Sequence, residues 1–167
     1  IKLLTAMIND PNESWWIVYH AMMSLDVCDA KNIEPHVDRL VYWLEHDEWW
    51  LNLAAMTLLN KVVTNPNHYK KLLPIYGKKI VNNRRTLPLS PLRGLTSQLK
   101  KAKPEVQQLG AKILGIAYSN FPATYNAPGG ILMHGGADYF QRELNGTLSA
   151  VPGGLDVLKT VPKRTSA

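Results

Sequence analysis

Ser14-Trp15-Trp16-Ile17-Val18-Tyr19-His20-Ala21-Met22-Met23-Ser24-Leu25 and Glu48-Trp49-Trp50-Leu51-Asn52-Leu53-Ala54-Ala55-Met56-Thr57-Leu58-Leu59 align without a gap, 34 residues apart. Both tryptophans, the alanine at the eighth place, the methionine after it and the final leucine coincide. Two adjacent tryptophans followed by Ala-Met at one spacing point to an internal repeat, and a repeat decides the architecture before any local propensity does. In the second copy Trp50, Leu51, Ala54, Ala55, Leu58, Leu59 and Val62 recur at three- and four-residue steps, the period of an α-helix with one apolar face. Asn65-Pro66 is read as its stop, because proline disfavours the helical conformation in the residue before it.

Each of these helices has a partner before it. Leu3, Leu4, Met7 and Ile8 form one short apolar stripe; Val37, Leu40, Val41, Tyr42 and Leu44 form another. The unit is therefore a helix, a short turn and a second helix. Neither helix can bury its apolar face alone, so stacked units share one core. A third, looser unit follows: a helix from Tyr69 to Val81 with Pro74 inside it, a proline-bearing link from Thr86 to Pro91, and a helix from Leu92 to Ala102. Pro104 then opens a further helix, since proline suits the first helical turn.

These residues resemble HEAT repeats, the helix-hairpin units of α-solenoids. Pro35, Leu40, Leu44, Asp47, Trp49-Trp50, Ala54-Ala55 and Leu58 fit that layout, and Pro104 to Gly115 looks like the second helix of another unit. The tryptophan pairs stand where the family has a Val-Arg-like pair, and Lys103 stands where Asp is usual. The resemblance covers about residues 1–118 and implies an all-α fold, a right-handed α-α superhelix of helical hairpins. Residues 119–167 hold seven of the eleven glycines and read as an irregular Gly/Pro-rich C-terminal tail, packed on the repeat domain or extending from it. Within that tail Ala137 to Leu144 is read as one helix, and Gly153-Gly154 as the start of a short turn. Such repeats are scaffolds, so the resemblance says little about activity.

Charge is strongly segregated. Residues 1–60 carry three basic and nine acidic side chains, net −6; residues 61–112 carry twelve basic side chains and one acid, Glu105, net +11; the remainder is +1. Lys70, Lys71, Lys78, Lys79, Arg84, Arg85, Arg93, Lys100 and Lys101 are the candidates for a polyanion or partner surface. Lys70-Lys71 and Lys78-Lys79 lie eight residues apart, about two helical turns, so they are expected on roughly one face. Such a stripe suits phosphates. Trp15, Trp16, Trp43, Trp49 and Trp50 are the candidates for an aromatic groove.

Several chemistries lack their machinery. Cys28 is the single cysteine, so neither an internal disulfide nor a cysteine-based zinc site forms within the chain, and we expect a small buried helical residue there. The five histidines show no metal-ligand spacing. Met133-His134-Gly135-Gly136 resembles the oxyanion loop of esterases, but no Gly-x-Ser-x-Gly elbow accompanies it. The acids of the first sixty residues sit at expected helix ends, where capping and the helix dipole account for them. No apolar run reaches the roughly 20 residues that span a bilayer. Ile1, not methionine, opens the chain, so we expect a processed product or a piece of a longer protein. The reading is a non-catalytic scaffold for a protein partner, without a cofactor. Its alternatives are binding of nucleic acid or another polyanion through residues 61–112, and a non-catalytic part of an enzyme.

Overall fold

A computed structural model describes residues 1–81, 89–120 and 136–160, the side chains of 89–90 and 136–141 excepted. Among the described residues the structure is all-α, with no strand. The chain divides into two compact units, Ile1–Val63 and Thr64–Ala167. The sequence reading draws its boundary near residue 118 instead. The division at Val63 follows the charge: the first unit carries four basic and nine acidic residues, net −5, and the second fifteen and four, net +11.

In the first unit α1 (Lys2–Asn9) packs on α2 (Trp15–Leu25), and α4 (Val37–Leu44) packs on α5 (Trp49–Leu59). Helices α2 and α5 also pack on each other, and α1 touches α4. A short α3 (Ala30–Ile33) runs into a 3-10 turn over Glu34–His36 that contains Pro35. The residues that coincide in the two aligned copies explain the packing. Ala21, Met22 and Leu25 are all buried, and so are Ala55, Met56 and Leu59. The tryptophans that also coincide are not among the buried core residues. Helix α5 is buried almost all round, through Leu51, Asn52, Ala54, Ala55, Met56, Leu58 and Leu59. It ends at Leu59, before Asn65-Pro66, and Val62 and Val63 are buried in the turns that follow.

The turns of this unit are closed by side chains from the neighbouring helices. The Ile8 carbonyl near the end of α1 accepts from Trp43 Nε1 at 2.9 Å and from Arg39 Nε at 3.1 Å. Asn52 Nδ2 donates to the carbonyls of Trp43 and His46 at 3.0 and 2.8 Å, which closes the end of α4. These bonds serve carbonyls that a helix terminus leaves without intrahelical partners. Asp29 and Glu48 do stand at N-caps, but neither makes a side-chain capping bond, so only their charge acts there. Cys28 lies half-buried in the turn after α2, not on a helix as expected.

The second unit is built around α8 (Pro104–Ser119). Against it pack α6 (Tyr69–Ile80), α7 (Leu89–Lys101), α9 (Gly136–Ala150) and α10 (Gly154–Thr160), and α7 also packs on α9. Glycines allow close approaches on α6 and α8, and Gly154 of α10 lies against the Leu148 carbonyl of α9. A Cβ at Gly77 would stand 2.5 Å from Ile113 Cγ2, and one at Gly110 would stand 2.9 Å from Leu99 Cδ2. Gln107 on α8 donates to the Leu99 and Lys100 carbonyls of α7 at 3.1 and 3.3 Å. Gln107 is the fourth residue of its helix, as Asn52 is of α5.

The expectation of an irregular tail is corrected over residues 136–160, which form two helices. Helix α9 continues six residues past Leu144, because Leu144, Leu148 and Val151 recur at helical spacing and are buried. Gly146 sits within it at a cost of about 1 kcal/mol relative to alanine, which that burial offsets. Gly153, with φ of 83°, makes the turn into α10. Residues 82–88, which include the start of the link read from Thr86 to Pro91, residues 121–135, which include His134, and residues 161–167 lie outside the described residues.

Candidate functional site

The tryptophans of the first unit separate into two environments. Trp16, Trp15 and Trp50 are 55%, 43% and 40% exposed, and Trp49 is half-buried. Trp43 is 3% exposed and spends its indole N–H on Ile8, so it leaves the aromatic groove expected from sequence. Its helix explains why. Val37, Leu40, Trp43 and Leu44 face inward at steps of three and four, whereas Tyr42, read earlier as part of the stripe, is exposed.

The exposed rings are continuous. Trp16 meets His20 edge-on with centroids 6.3 Å apart, His20 meets Tyr19 at 5.1 Å, Tyr19 crosses from α2 to Trp50 of α5 at 5.8 Å, and Trp50 meets Trp49 at 5.0 Å. Each pair is T-shaped, the arrangement that brings a ring's positive edge to its neighbour's negative face. Met23 extends the exposed row along α2, seven residues after Trp16. The sequence reading does not single out Tyr19, His20 and Met23 as site residues, although their spacings of three, four and seven from Trp16 place them on its side of the helix.

A second aromatic group is structural. The Arg39 guanidinium lies over the rings of Tyr42 and Trp43, 4.5 and 4.9 Å from their centroids. The stacked cation helps hold α4 against α1 through the shared Ile8 carbonyl. His46 Nδ1 accepts from the Glu48 backbone N–H at 3.0 Å and so shapes the turn into α5.

The basic candidates of the second unit do not form one set. Lys70, Lys71 and Lys78 are exposed on α6, and Lys100 and Lys101 at the end of α7. Lys79 is 9% exposed, so the two doublets of α6 do not share one solvated face. Adjacent residues on a helix point about 100° apart, and in this pair one lysine falls on the packed side. Arg93 is held by Glu143 of α9 through two contacts of 3.0 and 3.2 Å. Arg84 and Arg85 lie outside the described residues. Lys103 and Lys112 add exposed charge on and beside α8.

Among the described residues no group of His, Cys, Asp and Glu is placed to hold a metal ion, and no helix is long and apolar enough to cross a membrane. Compared with known proteins, the chain matches no family model, no curated protein and no solved structure.

Proposed function

We propose that the chain is a non-catalytic binding module of HEAT-like helical hairpins, whose aromatic face on α2 and α5 takes an apolar, basic segment of a protein partner. The observation that carries this reading is the unbroken row of rings from Trp16 through His20, Tyr19 and Trp50 to Trp49, with three tryptophans of this unit at least 40% exposed. Water-exposed tryptophan is costly apolar surface, and contiguous patches of it mark interaction sites. Tryptophan is also the residue most enriched among energetically dominant contacts. The net charge of −5 on the same unit favours a basic partner.

The hairpin reading is supported by the burial of the shared Ala-Met and Leu positions and by the matching amide closures at Asn52 and Gln107. Selection from a displayed library of amphipathic peptides tests the partner reading. Basic, apolar peptides are expected to enrich, and to lose binding at least tenfold to a Trp16→Ala/Trp50→Ala variant that keeps its helicity. Enrichment of acidic peptides, or equal binding to the variant, would remove the reading.

One observation favours a second reading. Lys70, Lys78, Lys100, Lys101, Lys103 and Lys112 are exposed and have no carboxylate partner among the described residues. A polyanion on the second unit would neutralise them. Titration with duplex DNA at two salt concentrations separates this from the first reading, because phosphate binding weakens steeply with salt.

A further inference from the structure

Gly77 lets α6 and α8 touch at Ile113, and beside that contact the two helices enclose a groove of about 320 Å³. This volume falls at the lower end of small-molecule sites, which run from roughly 300 to 1,000 Å³. One wall is Pro74, Lys78 and Val81; the other is Ile116, Ala117 and Asn120. The lining is apolar except for two groups. Lys78 is exposed and has no ion pair among the described residues. Asn120 spends its Nδ2 on the Ile116 carbonyl and Ser119 Oγ at 2.9 and 3.4 Å, which fixes the amide at the end of α8. Ile116 is 53% exposed, so the groove opens to solvent along its apolar side.

We infer that this groove binds a single-chain amphipathic anion, a free medium-chain carboxylate, with the hydrocarbon between α6 and α8 and the carboxylate at Lys78. Three properties select that chemistry. An apolar trough between helices accepts a linear chain, which loses water from its length without requiring polar partners. One cation at the rim satisfies one anionic head. The net charge of +11 on this unit raises the local concentration of anions and disfavours an alkylammonium.

Calorimetric titration with dodecanoate, below its micellar concentration, tests the assignment. One molecule is expected to bind per chain, at least tenfold more tightly than dodecanol and with no detectable binding of dodecyltrimethylammonium. Lys78→Glu should weaken dodecanoate at least tenfold. Ile116→Glu should abolish it, since the new charge stands in the trough. In methyl NMR spectra of the unmodified protein the Ile113 and Ile116 signals should move with added dodecanoate while Ile8 and Ile33 stay still. Absence of binding, equal affinity for the alcohol, indifference to either substitution, or shifts at Ile8 and Ile33 in place of Ile113 and Ile116 would each overturn the proposal. The NMR arm decides the matter even where a substituted protein fails to fold. Failure of this site leaves the aromatic face of the first unit untouched.

Discussion

The indole N–H of Trp43 on α4 donates to the carbonyl of Ile8 on α1 at 2.9 Å, across 35 residues of chain. The bond is buried, and Arg39 one turn earlier donates to the same oxygen. Trp43→Phe keeps the ring but removes the donor, and is expected to cost about 1–2 kcal/mol. Trp43→Ala also empties the core and should cost about 3–5 kcal/mol. Urea melts followed by circular dichroism separate the two.

Asn52 is fully buried and closes α4 through two carbonyls. Asn52→Ala takes the side-chain donor from both, although the Trp43 carbonyl keeps the His46 backbone N–H at 3.3 Å, so a loss of about 1–3 kcal/mol is expected. Asn52→Asp should be at least as damaging, because a carboxylate offers no donor to either carbonyl and is buried without a counter-charge. A destabilisation by Asp clearly smaller than that by Ala would refute the capping role.

At Gly77 the backbone of α6 lies directly against Ile113 of α8. Gly77→Ala gains helix propensity, yet its methyl would press on Ile113 Cγ2, and a net loss of about 1–3 kcal/mol is expected. Ile113→Leu removes that branch at nearly constant volume. Made in that background, Gly77→Ala should cost at least about 1 kcal/mol less than alone, a coupling that a double-mutant cycle reads directly.

Burial pushes the Tyr76 phenol well above its ordinary value near 10. The folded protein therefore keeps a proton that the unfolded chain releases above about pH 10. Linkage makes the sign plain: this contribution is complete below pH 10 and falls as pH rises above it, by up to about 1.4 kcal/mol per pH unit. Tyr76→Phe should flatten the stability-against-pH curve in that window. An unchanged slope would rule the phenol out as the cause.

Arg93 and Glu143 join α7 to α9 with fork-like geometry but considerable exposure. A double-mutant cycle should give a coupling of about 0.5–1 kcal/mol that shrinks in about 1 M salt. The neighbouring hydroxyl pair, with Thr96 and Thr147 oxygens 2.9 Å apart, ties the same helices. Salt-independence of the link would mean that the hydroxyls and the leucines carry it.

Much of the first unit is legible in the chain. The two aligned copies identify α2 and α5, and their common Ala, Met and Leu are core residues. What the copies do not reveal is that the other shared feature, the tryptophan pair, faces largely outward: identity between repeats preserves a side of the helix, not its burial. Trp43 was legible in principle, three residues after Leu40, but composition grouped it with the other tryptophans. Lys79 was misread because a doublet looks like one charge cluster, whereas the helix turns about 100° between its members. In the second unit the order of packing was hidden. Helix α6 packs on α8, and α7 on α9, so neighbours in sequence are not always the main neighbours in space.

All five tryptophans lie between residues 15 and 50, within the unit that ends at Val63. The second unit contains none. The molecule thus carries a natural optical label on one half: indole emission follows the first unit alone, while the amide band of circular dichroism follows both. Coincident transitions would mark one cooperative block, and separated ones two blocks that melt in turn. No engineered probe is needed to tell them apart.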